Sequence, residues 1–188
     1  KAAAEKLVRQ AGQQGLDVII LRPHLIWGPA DNHLLPGILK RAKRLRLVGR
    51  TDDRMDTIYV DNAALAHVLA AQKLKENSSL SGNIYFISQD DPVSKWEMVN
   101  AFLDAAGLPP VRRRVSARTA YAAGWCFEKI YHLLGINSEP PMTRFVAKEL
   151  ATSHWFDITR AKNDLGYVPE ISTQEGLRRL KEWLSRNR

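Results

Sequence analysis

The chain has 188 residues, of which 45% are hydrophobic and 26% are charged, and its formal net charge at pH 7 is +8. This hydrophobic fraction predicts a folded globular protein and excludes a disordered one. The single cysteine, Cys126, excludes an internal disulfide framework and fits a reducing compartment such as the cytoplasm, and no apolar run reaches the roughly 20 residues that cross a bilayer.

Much of the positive charge lies in two runs. Residues 40–46 hold five basic side chains, and residues 112–114 hold three more. Clustered Lys and Arg bind phosphates, but neither run is interleaved with the aromatic side chains that stack on single-stranded bases. We therefore interpret the runs as a solvated helix face and a charged loop, and we predict no nucleic-acid partner. A basic nucleic-acid module built on residues 40–46 is the alternative.

The first predicted elements are a helix and a buried strand. Residues 1–12 repeat apolar side chains at helical spacing, Gly15 is placed to end that helix, and residues 17–22 contain a continuous apolar run. Such a run is typical of a parallel strand covered on both faces. The helix shows no capping residue at its start, and the strand has no earlier partner. The pattern therefore predicts the distal part of a larger α/β protein.

The middle of the chain alternates helices and strands. Residues 22–37 are rich in Pro, Gly, Asn and Asp and predict a long loop at the carboxyl edge of the first strand, where doubly wound sheets bind ligands. After this loop we predict a basic helix over 34–46, strands over 45–49, 56–60 and 83–88, and a helix over 60–77 that is capped by Asp61 or Asn62.

The last part of the chain begins with a helix that has Ser94 as its cap and Gly107 as its stop. A helical segment over 117–134 carries several aromatic residues. The chain then closes with a short strand at 154–158, a helix from Thr159 and a final amphipathic helix whose Ser172 and Glu175 have capping-box spacing.

Four ordered segments carry a family resemblance: KAAAEKLV, LRPHLIWGP, MDTIYVDNAALAH and the stretch from HWFDITRAKNDLGYVP to LRRLKEW. Together they resemble the extended short-chain dehydrogenase/reductase family, which includes the NAD-dependent epimerases and dehydratases, and most closely its 3β-hydroxysteroid dehydrogenase branch. The resemblance implies an α/β fold: the C-terminal part of a Rossmann-type doubly wound parallel sheet plus a smaller mixed α/β substrate-binding lobe. It implies a dinucleotide-binding part over residues 1–88 and a substrate lobe with C-terminal helices over 89–188.

The resemblance also implies an activity. The complete protein is expected to move a hydride between NAD or NADP and a secondary alcohol or ketone, on a small 3β-hydroxysteroid-like or other apolar substrate. Two alternatives stay open: a nucleotide-sugar epimerase or dehydratase, and a cofactor-binding regulator without catalysis. The sequence contains no G-x-x-G-x-x-G turn for the cofactor pyrophosphate. We therefore expect this chain by itself to be inactive.

Lys1 takes the place of the family's active-site lysine, four positions after a catalytic tyrosine that would precede this chain. There it would bind the nicotinamide ribose and lower the pKa of the tyrosine, which acts as general acid or base. An ordinary exposed helix lysine is the alternative for Lys1.

The loop after the first strand supplies further candidates. By resemblance its backbone lies against the nicotinamide carboxamide, and its later residues help to hold substrate. His24 could equally serve only packing, and Asn32 could close the turn or cap the next helix. The candidates are Pro23, His24, Leu25 and Ile26 for the cofactor and Asn32, His33 and Leu34 for the substrate. His33 lacks the companions of a metal site, and we predict no metal.

Met55 is an informative departure from the nucleotide-sugar members, which typically carry a diphosphate-binding arginine before the aspartate of this motif. Met55 precedes Asp56, so that arginine is missing unless Arg54 substitutes for it. A flexible apolar side chain here favours a flat or greasy substrate. We therefore predict that Arg54 and Met55 contact the substrate.

Two surfaces raise the question of partners. The family often dimerises through the helix that begins this chain, so Ala4 and Leu7 suggest a homodimer. The aromatic side chains of segment 117–134 are expected to pack over the substrate cleft; the alternative is an interfacial helix that attaches the protein peripherally to a membrane.

Overall fold

A computed structural model describes residues 2–50 and 52–187 of the chain. The chain forms two compact units. Unit 1 comprises Lys1–Leu34, Asp56–Pro92 and Trp155–Arg188, and unit 2 comprises Leu35–Met55 and Val93–His154. This division differs from the predicted boundary at residue 88, because residues 35–55 belong to unit 2 and the C-terminal segment returns to unit 1, where hydrogen bonds to Asn62 hold it.

The chain alternates short strands and helices. The strands are β1 (Ile20–Pro23), β2 (Ile26–Trp27), β3 (Leu47–Val48), β4 (Arg54–Met55), β5 (Ile58–Tyr59), β6 (Ile84–Ile87), β7 (Val93–Ser94) and β8 (Arg114–Val115). The helices are α1 (Ala2–Gln13), α2 (Leu34–Arg41), α3 (Val60–Glu76), α4 (Lys95–Ala105), α5 (Ala117–Leu133), α6 (Arg144–Ala151), α7 (Thr159–Leu165) and α8 (Thr173–Arg186). Among the described helices, none is long and apolar enough to cross a membrane.

Unit 1 is built on parallel strand pairs, which confirms the predicted α/β class. β1 pairs with β6 in the register Ile20↔Ile84 to Pro23↔Ile87, and β2 pairs with β5. Alternate residues of β6 reach opposite faces of this pair. Tyr85 and Ile87 are buried in one core with the small side chains of α3, since alanines let a helix lie close to a sheet. The alanines of that core are Ala63, Ala66 and Ala70.

Helix α1 is tied to strand β1 through an ion pair. The Arg22 guanidinium donates from Nη2 to Glu5 Oε1 at 2.6 Å and from Nε to Glu5 Oε2 at 3.0 Å. The two bonds form the bidentate arrangement in which a guanidinium binds a carboxylate most specifically. Arg22 also lies over the Phe86 ring, 5.4 Å from its centroid.

Most helix ends follow the sequence prediction. Ser94 Oγ accepts a hydrogen bond from Glu97 N, and Ser172 Oγ accepts one from Glu175 N at 3.2 Å, so both predicted caps are confirmed. The cap predicted for the long helix is wrong. Helix α3 begins at Val60, and its N-cap Tyr59 has no side-chain cap bond. Asn62 is not available as a cap because its side chain binds the C-terminal segment.

Two further elements differ from prediction. Residues 155–158 form no strand, and His154 makes only an isolated bridge with Met55. Instead, Phe156 N donates to the Asp56 carboxylate at 2.7 Å, so a side chain takes the hydrogen bond that a strand partner would take. Helix α6, which the sequence analysis missed, begins with Thr143 as its cap.

Unit 2 contains a parallel pair, β3 with β8, and an antiparallel pair, β4 with β7. Helix α5 approaches the start of α6 closely at Gly124. A Cβ at this position would lie only 2.6 Å from the carbonyl carbon of Thr143. The α5 aromatic side chains are only partly packed, and their expected position over a substrate cleft stays a prediction. Tyr121 and Trp125 are each 48% exposed, because α5 buries only Ala120 and Gly124.

Gly176 is expected to be essential for packing α8 onto the aromatic rings of β2 and β5. A Cβ at this position would lie 2.7 Å from Tyr59 Cδ2 and 2.8 Å from Trp27 Cη2, two rings that already meet edge to face. We expect Gly176→Ala to lower the free energy of unfolding by about 1–3 kcal/mol, measured by urea denaturation.

Gly37→Ala is the matched control, because Gly37 lies inside α2 and a Cβ added there would meet no atom within 4 Å. There the exchange is expected to stabilise by about 0.5–1 kcal/mol through helix propensity. Equal effects at the two glycines would contradict the packing described for α8.

Candidate functional site

The loop that leaves β1 is fixed to both neighbouring strands of unit 1. His24 N donates to Ile87 O at 3.2 Å, and Leu25 O accepts from Ile58 N at 3.2 Å. These bonds lie at the carboxyl end of β1, the edge that binds ligands in doubly wound sheets. The structure therefore holds Pro23, His24, Leu25 and Ile26 together at that edge, as the sequence predicted for the cofactor loop.

Leu25 has a left-handed backbone, with φ of 47°. For a residue with a Cβ this conformation costs about 1–2 kcal/mol. Such strain tends to persist at functional sites, where the surrounding structure enforces it. It coincides with exposure of apolar surface, because Leu25 is 38% exposed and Ile26 is 40% exposed.

The side chain of His24 is part of an aromatic cluster. Its ring meets the Phe156 ring edge to face, with 5.2 Å between centroids. Phe156 in turn stacks on Phe86 at 4.3 Å, with the ring planes only 5° apart. This geometry favours the packing role for the His24 side chain, one of the two roles left open by the sequence. Its predicted cofactor contact through the backbone stays a prediction.

The substrate candidates Asn32 and His33 lie in an exposed turn that Asp31 organises. Asp31 Oδ1 accepts from His33 N at 2.8 Å and from Leu34 N at 3.1 Å. The turn before α2 is therefore closed by Asp31, a residue the sequence analysis did not select, although an aspartate shortly before a helix is a usual signal. The side chains of Asn32 and His33 are exposed to solvent.

Arg54 and Met55 form strand β4 in unit 2 and lie opposite Ser94 and Val93 of β7. Because neighbours on a strand point to opposite sides, Met55 is buried while Arg54 is exposed. The backbone of Arg54 binds the segment that follows α6, because His154 N donates to Arg54 O at 2.9 Å. Met55 is thus a core residue of unit 2, and the substrate contacts of both residues stay predictions.

The buried polar residues of unit 1 were missed by sequence reasoning. Asn62 Oδ1 accepts from Glu170 N and Ile171 N, both at 3.0 Å, and its Nδ2 donates to Ile171 O at 2.8 Å and to Gln89 Oε1 at 3.1 Å. Gln89 Oε1 also accepts from Tyr59 N. A polar residue inside an apolar helix face was the available signal, and helix capping was the wrong interpretation of it.

Asp56 is also fully buried. Burial raises the pKa of its carboxyl group above the ordinary value, and the nearby Asp90 and Asp91 raise it further. The hydrogen bond from Phe156 N opposes this rise. In this environment the Asp56 carboxylate holds the backbone at Phe156 in place.

The described residues supply one part of a cofactor site, an apolar surface beside the loop that leaves β1. The exposed apolar side chains of Leu25 and Ile26 offer a surface on which a nicotinamide ring can pack. Lys1 lies outside the described residues, so its predicted role has no geometry here. The sequence offers no Gly-rich turn for a pyrophosphate. In the part of the chain that the structure describes, no group of three or more His, Cys, Asp or Glu could hold a metal ion.

Comparison with known proteins identifies relatives over nearly the whole chain. Residues 1–115 match the 3-beta hydroxysteroid dehydrogenase/isomerase family. A 2-alkyl-3-oxoalkanoate reductase of Shewanella oneidensis is 50% identical over 96% of this chain and 49% of its own length. A decarboxylating sterol-4-alpha-carboxylate 3-dehydrogenase of Saccharomyces cerevisiae is 34% identical over 98% of this chain and 55% of its own length. The chain thus spans about half the length of the curated relatives it matches.

Solved structures support the fold. The dTDP-glucose 4,6-dehydratase of Streptomyces venezuelae, crystallised with NAD, superposes with a TM-score of 0.66 over 100% of this chain and 50% of that protein. The two sequences are 21% identical, so the likeness concerns the fold alone. It confirms the predicted Rossmann-type architecture.

Proposed function

This chain belongs to the 3-beta hydroxysteroid dehydrogenase/isomerase family, and we propose that the whole protein is an NAD- or NADP-dependent oxidoreductase. It would transfer a hydride between the nicotinamide and a secondary alcohol or ketone. The observation that carries this proposal is the 50% identity with the Shewanella reductase across 96% of the chain. Identity at that level over two units supports a shared reaction type.

The names of the two relatives share one chemical feature. A 2-alkyl-3-oxoalkanoate has its keto carbon beside the carbon that bears the carboxylate and the alkyl branch. A sterol 4α-carboxylate likewise has its carboxylate on the carbon beside position 3, which the 3-dehydrogenase oxidises. We therefore propose that the substrate is an apolar 3-oxo or 3-hydroxy carboxylate with an alkyl substituent on carbon 2.

We assign the proton chemistry to Lys1 and to the family's tyrosine four positions before it. The nicotinamide, when bound, supplies or accepts the hydride. In the reductive direction the tyrosine hydroxyl gives its proton to the oxygen of the former ketone, and the Lys1 ammonium favours the resulting phenolate. The loop with exposed Leu25 and Ile26 would hold the nicotinamide ring and exclude water from one side of it.

Exposed Arg54 is the observation that favours the second candidate function, a nucleotide-sugar epimerase or dehydratase. A guanidinium suits a diphosphate. Because buried Met55 occupies the position that is typically arginine in those members, we place this function second. A regulator without catalysis would bind the cofactor and turn over neither substrate.

The partners follow from the same proposal. The ligand would be a small molecule, and two copies would pair through α1. Leu7 and Val8 of α1 are exposed, and this helix has no buried residue among those described. An amphipathic helix without a covered apolar face supports docking against a second surface.

Turnover by the full-length protein tests the proposed reaction. We expect it to reduce a long-chain 2-alkyl-3-oxoalkanoate with NADH or NADPH, and Lys1→Met to lower kcat by a factor of about 100 or more, because general acid-base catalysis contributes that much. Lys6→Met, on the exposed side of the same helix, is the control and should leave kcat unchanged. Absence of reduction, or full activity of Lys1→Met, would overturn the assignment.

The Arg22–Glu5 pair predicts a shift in the pH profile. Glu5 follows Lys1 at the spacing of an i,i+4 ion pair, but Arg22 holds both of its oxygens and lowers the pKa of its carboxyl group. Arg22→Met should free Glu5 to pair with Lys1, which weakens the effect of Lys1 on the tyrosine. The tyrosine limb of the pH–rate profile should then move up by about a few tenths of a pH unit.

The double variant Glu5→Gln/Arg22→Met controls for lost packing. It should return the profile to its original position, because no carboxylate remains to bind Lys1. A profile that stays shifted in the double variant would show that Arg22 acts through structure alone.

A further inference from the structure

A groove opens between helices α5 and α6 of unit 2. Its volume is about 510 Å³, within the range of roughly 300–1,000 Å³ typical of small-molecule sites. Helix α5 contributes Ala117, Arg118 and Tyr121, and helix α6 contributes Ala147, Lys148 and Ala151. Each helix thus contributes one cation and two uncharged residues.

The spacing along the two helices explains the apolar lining. Ala117 and Tyr121 are four residues apart on α5, and Ala147 and Ala151 are four residues apart on α6, so each pair lies along one helix face. The small alanine side chains leave the space open. Arg118 and Lys148 each follow one of these alanines, which places a positive charge beside the apolar lining of each helix.

The carboxylates near this groove have other partners. Glu128 binds Arg144, with Arg144 Nε 2.6 Å from Glu128 Oε2. Glu149 Oε2 lies 3.6 Å from His154 Nε2. Within the described residues, no ion pair links Arg118 or Lys148 to a carboxylate. The groove therefore combines apolar walls with two positive charges that the described part of the chain does not neutralise.

We propose that this groove is a binding site for an aliphatic carboxylate. Arg118 takes one face of the carboxylate as a planar donor, and Lys148 adds a point charge. The alkyl chain lies along Ala117, Ala147 and Ala151. The assignment rests on the two unneutralised cations beside the apolar lining of one groove within unit 2.

Calorimetry on the full-length protein tests this groove without turnover. The probes are decanoate and decan-1-ol, which share their chain length and differ in charge, and octanoate as the shorter chain. We expect decanoate to bind about tenfold more tightly than decan-1-ol, because hydrogen bonds to charged groups are worth at least that factor. Octanoate should bind more weakly than decanoate by about fourfold for each missing methylene.

Three variants locate the site. Arg118→Gln and Lys148→Gln should each weaken decanoate about tenfold and leave decan-1-ol unchanged. Lys129→Gln is the control, because Lys129 is exposed on α5 and does not line the groove. It should leave both probes unchanged. Equal binding of the two probes to the wild type, no binding of decanoate, or equal losses in all three variants would overturn the assignment.

Turnover and binding separate the two proposals. If the full-length protein binds decanoate as expected but reduces no 2-alkyl-3-oxoalkanoate, the proposed function fails and the carboxylate site stands. If it reduces that substrate but the decanoate affinity is unchanged by substitution of Arg118 or Lys148, the function stands and the groove assignment fails.

Discussion

The buried carboxamide of Asn62 is the constraint on which unit 1 depends. Its oxygen and nitrogen are both out of contact with water, and each finds two partners in the structure. A buried polar group without a partner costs about 1–3 kcal/mol, so the segment that supplies Glu170 and Ile171 is held in one register. That register places Ser172 as the N-cap of α8 and brings Gly176 against the aromatic pair of β2 and β5.

The same constraint reaches the candidate site through backbone bonds. Gln89, which binds Asn62, also accepts from Tyr59 N, and its own N–H donates to Thr57 O at 2.8 Å. Ile58, between these two residues, donates to Leu25 O and so fixes the left-handed turn of the cofactor loop. A continuous series of hydrogen bonds thus links the C-terminal segment to the exposed Leu25. A site at this edge is preorganised by residues far from it in sequence.

Local signals were enough to predict much of the fold, and long-range partners account for what was missed. Helix caps at Ser94 and Ser172 and the position of the strand before the loop are decided within a few residues, so the sequence predicted them, but that strand is only half-buried and not covered on both faces. Asn62 was mistaken for a cap because its partners lie about a hundred residues away. The two basic runs are far apart in sequence, yet β3 follows the first run, β8 begins at Arg114 at the end of the second, and these two strands pair. Nothing local shows that the α5 aromatics are half-exposed, or that Arg118 and Lys148 share a groove.

Amide hydrogen exchange shows whether Asn62 holds the C-terminal segment in place. In Asn62→Asp the shape is kept, but the amide donor facing Ile171 O and Gln89 becomes a second acceptor. We expect protection of the Glu170 and Ile171 amides to fall about a hundredfold, because at least one buried acceptor loses its donor. Asn163→Asp, an exposed exchange on α7, should leave this protection intact. Unchanged protection in Asn62→Asp would show that Asn62 does not hold this segment.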